Sequence, residues 1–265
     1  MQRHNATNKL RIGPTLAAAY REWWRVLASL RLLILNAFLI VLAIAVVEQQ
    51  IPSRLWDESP LGNVMSVAET AIRALLLTPV AIAIHRLVIL DEVTRAYTLP
   101  LGEPAFRAFF AWLFVLGVIA GLPFDLLGVM QAHDLSLAAT SFGTLFALIA
   151  VIAFALRLTV LLPAIAVAAP GAGLKPALAD TRGQALRILA IFVLALLPWI
   201  AADFAGVLLI GRRLDVAGSL PGMSFLLLGG VLQTIILSMT AVIASLVFIA
   251  LGAKVRHAPA PPRAA

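Results

Sequence analysis

The chain has 265 residues, of which 62% are hydrophobic and 12% charged, about half the charged share of a soluble domain. Twenty basic and thirteen acidic side chains cannot clothe a water-soluble globule of this length, which excludes an ordinary soluble enzyme, and a mean hydropathy of +1.01 excludes a disordered chain. Cysteine is absent, so disulfide frameworks, Cys–zinc sites and thiol chemistry are excluded with it.

Crossing about 30 Å of hydrocarbon takes roughly 20 apolar residues at about 1.5 Å each. Six segments qualify: Val26–Val47, Val67–Leu90, Ala105–Phe124, Leu135–Leu158, Ile188–Ile210 and Met223–Leu251. Each must be a helix, because backbone groups in hydrocarbon have no water to bond. The runs are twice as long as barrel strands and do not alternate. Some 25 mostly polar residues precede the first run, which is longer than the apolar core of a signal peptide; it reads as an uncleaved anchor. The expected fold is therefore an all-α, polytopic bundle of six transmembrane helices. A cytoplasmic segment (1–25) precedes the membrane domain (26–252), and a disordered cytoplasmic tail (253–265) rich in Pro and Ala follows it.

Basic residues set the orientation. Sixteen of the 20 lie on one side of the six runs: near the N-terminus, around Arg95, around Lys175 and in the C-terminal tail. Arg54, Arg212 and Arg213 fall on the other side, and Arg73 lies inside a run. This split places both termini in the cytoplasm of a cell whose inner membrane the chain spans. It also accounts for a net charge of +7 without nucleic acid, and it sets the basic side against anionic lipid headgroups.

The connection between the fourth and fifth runs reads RLTVLLPAIAVAAPGAGLKPALADTRGQALRI over residues 157–188. Leu174–Leu186 splits into apolar and polar faces, as an interfacial helix would. Arg157, Lys175, Arg182 and Arg187 are its candidate lipid contacts. Together with AIHRLVILDE and PAFRAFFAWLFVLG earlier in the chain, this stretch resembles the membrane domain of glycerophosphoryl diester phosphodiesterases and related multi-pass bacterial inner-membrane proteins. The resemblance covers residues 75–200. It implies a helical membrane bundle without catalytic residues of its own. In those phosphodiesterases the chemistry belongs to a separate soluble domain, and the resemblance brings no such activity to this chain.

Ionisable groups inside a membrane cost roughly 2.5–3.5 kcal/mol on insertion scales and mark structural pairs or functional sites. Glu69 and Arg73 stand four apart on one helix face and are expected to pair. Asp203 falls at a similar depth and is expected to face the bundle interior, with Arg73 as a candidate partner. Asn36 and Gln233 complete a candidate intramembrane polar cluster. Its two readings are interhelical glue and a small-solute pathway. Pro79 and Pro198 interrupt two of the runs.

The four histidines are scattered, with no HExxH, no GxSxG and no phosphate-binding GxxxxGK[ST]. His85 with Asp91 and Glu92 makes at most a solvated helix end. The expectation is a non-enzymatic accessory, scaffold or lipid-associated protein without metal or cofactor, with a small-solute transporter or channel as the alternative and a lipid-modifying enzyme third. Its expected surroundings are the bilayer and membrane protein partners that the sequence does not name.

Overall fold

A computed structural model describes residues 10–50, 60–132, 136–210 and 220–257. These residues form ten helices and, among themselves, no strand: α1 Ile12–Ser29, α2 Arg31–Gln50, α3 Pro60–Leu90, α4 Pro104–Ala132, α5 Leu137–Arg157, α6 Leu161–Ala166, α7 Leu174–Asp180, α8 Ala185–Ile210, α9 Leu220–Leu251 and α10 Ala253–His257. Six of them (α2, α3, α4, α5, α8 and α9) are long and apolar enough to cross a membrane. The all-α polytopic bundle expected from hydropathy is the observed architecture.

α3 and α9 form the centre, since more than half of each apolar window is buried. Val80, Ile84 and Leu87 of α3 meet the core that Met239, Val242 and Val247 of α9 also enter, each at most 1% exposed. Polar side chains in these helices are answered locally, as hydrocarbon requires. The hydroxyls of Thr78, Thr234 and Ser245 donate to the carbonyls four residues earlier, at 2.7–2.9 Å. Ser245 Oγ also lies 2.7 Å from His85 Nδ1, so with its own proton on Ala241 it accepts from the ring. His85 is 2% exposed and packs against the Phe109 ring at 5.7 Å.

Close helix approach is achieved with glycine, as in membrane bundles generally. A Cβ at Gly117 of α4 would stand 2.8 Å from Thr70 of α3, and one at Gly206 of α8 would stand 2.5 Å from Leu228 of α9.

The first span begins five residues later than hydropathy suggests. Leu30 breaks the helix, so α1 is a separate element preceding α2. Most of α1 falls in the segment assigned above to the cytoplasm. Its buried residues Ala19, Trp23 and Val26 recur at helical spacing, while Arg21 and Arg25 point elsewhere. This amphipathic face seats α1 on the bundle. Tyr20 Oη donates to Ala195 O of α8 at 2.9 Å, and Trp23 Nε1 donates to Ser238 Oγ of α9 at 2.9 Å. Trp23 also meets Trp199 of α8, ring centres 5.5 Å apart.

The connection after α5 differs from the expected interfacial helix over Leu174–Leu186. α7 stops at Asp180, and a turn through Gly183, at φ +75°, leads into α8. A left-handed residue cannot continue an α-helix, and Gly takes that conformation at no steric cost. The LLPAIA run is α6, with Leu161 and Pro163 through Ala166 all buried. Part of the tail expected to be disordered is also ordered: Asp180 accepts from the backbone N–H groups of Lys254 and Val255 at 3.0–3.1 Å, capping α10. The rest of that tail, 258–265, lies outside the described residues.

Removing one interhelical hydrogen bond in a membrane bundle costs about 0.6 kcal/mol on average and up to about 1.7. Ser245→Ala should therefore lower the thermal midpoint in detergent by a few degrees while keeping the helical circular-dichroism signal. Thr234→Ala, which loses only a bond within its own helix, should move it less.

Candidate functional site

Two of the charged residues expected inside the membrane, Glu69 and Arg73, meet Glu48 of α2 beside α3. Arg73 Nε and Nη2 donate to one oxygen of Glu69 at 3.0 and 2.8 Å, and Nη2 also donates to Glu48 at 2.7 Å. The i,i+4 spacing of Glu69 and Arg73 stacks them on one face. Glu48 comes from the last turn of α2, two residues before Gln50. The three side chains are 26–33% exposed. Two carboxylates around one guanidinium carry a formal charge of −1, and the cluster ties two spans together.

Glu48 escapes the sequence reading because it closes an apolar run and looks like the first residue of a loop. The available signal was an acid at a span end facing an Arg in the next span. Asp203 lies within α8, but its side chain lies outside the described residues, as does any pairing with Arg73.

Gln233 of α9 reaches two cavities of about 330 Å3 each. One is shared with Val41, Ala45 and Gly229. The other is lined by Thr70, Arg73, Leu113, Gly117 and Thr240 as well as Gln233. The structure thus brings Arg73 and Gln233 to one cavity. Asn36 is half-buried on α2 and lines neither of the two.

Two further grooves open on the outside of the bundle. The first, about 410 Å3, runs between α2 and α3 from Ile40 and Leu76 to Glu48 and Glu69. Val47 and Ile72 on its walls are 60% and 53% exposed. The second, about 380 Å3, is lined by Leu116, Ile152, Leu162, Phe192, Val193 and Ile200, among others. Both volumes lie in the range of small-molecule sites, about 300–1,000 Å3, and both linings are apolar apart from Glu48 and Glu69 in the first and two threonines in the second.

The opposite face, where α3 ends, is built from ion pairs and caps. Asp91, at φ +59°, closes α3 with its N–H on Leu87 O at 3.1 Å, the αL cap, and the N–H of Glu92 bonds Arg86 O at 3.4 Å. Asp91 and Glu92 pair with Arg25 and Arg86, respectively. His85, bonded to Ser245, is not part of this network, so the three residues form no acid–base set. The following segment runs back beside α3, where Tyr97 Oη donates to Leu76 O at 2.8 Å. Burial raises the Tyr97 phenol above its ordinary pKa of 10.0.

The four candidate lipid contacts divide into two kinds. Arg157 turns to Leu178 O at 2.8 Å and Thr181 Oγ1 at 3.3 Å, and Arg187 to Leu10 O at 3.3 Å. Lys175 and Arg182 are exposed. Among the described residues, no group of three or more His, Cys, Asp or Glu is placed to hold a metal ion. No known protein family, curated protein or solved structure matches the chain.

Taking Arg73 away leaves two facing carboxylates. Removing one partner of a buried pair costs about 3–5 kcal/mol, and the partial exposure here moves the expected loss toward the lower end. Arg73→Gln should therefore cut the yield of folded protein and the thermal midpoint more than Glu48→Gln does. The triple change Arg73→Gln, Glu48→Gln, Glu69→Gln should recover most of the loss.

Proposed function

We propose that the protein is a non-enzymatic, lipid-associated component of a cell inner membrane, with both termini in the cytoplasm. The observation that carries this reading is the pair of apolar grooves on the exterior of the bundle, one between α2 and α3 and one across α4, α5, α8 and α9. Grooves of this size, facing the acyl chains of the bilayer, accept a chain or an amphiphile more readily than a solute from water. The likeness of residues 75–200 to the membrane domain of glycerophosphoryl diester phosphodiesterases belongs to the same proposal. It points to a bundle that works beside lipids and leaves chemistry to other proteins.

Transport of a small solute is the second reading. It is favoured by the cavity in which Arg73, Gln233, Thr70 and Thr240 converge, since polar groups gathered between spans are the material of a solute pathway.

Purification in mild detergent followed by native mass spectrometry separates the two. The lipid-associated reading expects phospholipid adducts that survive delipidating washes, and proteoliposomes that leak no small solutes beyond the protein-free control. Solute flux abolished by Gln233→Ala, with no retained lipid, would establish the second reading in place of the first.

A further inference from the structure

We infer that the groove between α2 and α3 binds a phospholipid whose headgroup bears a primary amine, with the ammonium held by Glu48 and Glu69. This rests on the lipid-associated reading and adds the headgroup class. The groove is apolar along the length set by Ile40, Ile44 and Ile72, and its polar lining is Glu48 and Glu69, at one end. A ligand that follows it must therefore be an acyl chain with a polar group at that end.

Charge decides which polar group. Among the described residues Arg73 is the cation of this end, and its Nε and Nη2 are both occupied by the carboxylates. The cluster keeps a formal charge of −1. An anionic headgroup is repelled here, and a cationic one is attracted.

An ammonium with N–H donors is favoured over a trimethylated one. It can donate charge-assisted hydrogen bonds to carboxylate oxygens, and a choline group cannot. The phosphate of the same lipid stays in the aqueous headgroup layer and needs no partner in the protein. A soluble amine lacks the chain that the apolar walls would bury.

The experiment uses the full-length protein, delipidated and reconstituted into nanodiscs containing equimolar phosphatidylethanolamine, phosphatidylcholine and phosphatidylglycerol of identical chains. Retained lipids are counted by native mass spectrometry after release into detergent. Wild type should retain phosphatidylethanolamine over the other two. Glu48→Gln with Glu69→Gln should keep the number of bound lipids and lower that preference roughly three- to tenfold. Ala68→Trp, which places a bulky ring on the groove wall, should remove the preferred lipid altogether. Equal retention of all three lipids by wild type, or preference for phosphatidylglycerol, overturns the headgroup assignment and leaves the lipid-associated reading standing. Retention of no lipid by wild type overturns both. Should the double variant not fold, the wild-type competition decides alone.

Discussion

Hydrocarbon offers no partner to a hydrogen bond, and the rest of this structure depends on that constraint. Within the spans the chain answers many of its own polar groups, although Thr144 Oγ1 and Trp199 Nε1 are buried without a hydrogen-bond partner among the described residues. Hydroxyls of Thr78, Thr234 and Ser245 fold back on their own helices. The ring of His85 is held by a serine of another helix. Arg73, the guanidinium in the middle of the α3 sequence, is bracketed by two carboxylates from two spans. Each arrangement removes a desolvation cost that would otherwise oppose insertion, and the last two join separate helices while doing so. With no strong hydrophobic drive between helices in lipid, such contacts and glycine-mediated close packing set which spans are neighbours.

The two ends of the bundle solve different problems. On the face where α3 ends, backbone turns and helix caps are fastened by charged side chains: Arg25 to Asp91, Arg86 to Glu92, Arg157 to Leu178 O, and Asp180 to the start of α10. α1 lies against this assembly through Tyr20 and Trp23. The other end presents the Glu48–Glu69–Arg73 cluster at the head of an apolar groove. The first face also holds a mixed polar and apolar cavity of about 510 Å3 beside Arg86, Glu92 and Glu103, while the other keeps an excess carboxylate beside a surface that lipid chains can reach.

The six spans were legible because transfer energy accumulates over about 20 residues and is insensitive to detail. The Glu69–Arg73 pair was legible from spacing alone. Features that depend on a few residues were not. α1 is short on continuous apolar residues and reads as a polar leader, although Ala19, Trp23 and Val26 repeat with helical spacing. The break at Gly183 lies inside a stretch whose pattern continues as if helical. Glu48 stands where a span and a loop meet, and only its partner in α3 shows that it belongs to the bundle. The basic residues around the α5–α8 connection look alike in sequence, yet Arg157 turns inward to a carbonyl while Arg182 stays exposed. Side-chain direction at a helix end is decided by tertiary neighbours, which a linear pattern does not carry.

The claim beneath the whole account is that the chain threads a bilayer six times with its basic ends together. Its lack of cysteine makes single-cysteine labelling clean. In intact cells, a membrane-impermeant maleimide should label Asp57→Cys and Asp215→Cys, and should reach Arg182→Cys and Lys254→Cys only after the membrane is opened. Labelling of Asp57→Cys and Lys254→Cys from the same side of a sealed membrane would contradict it.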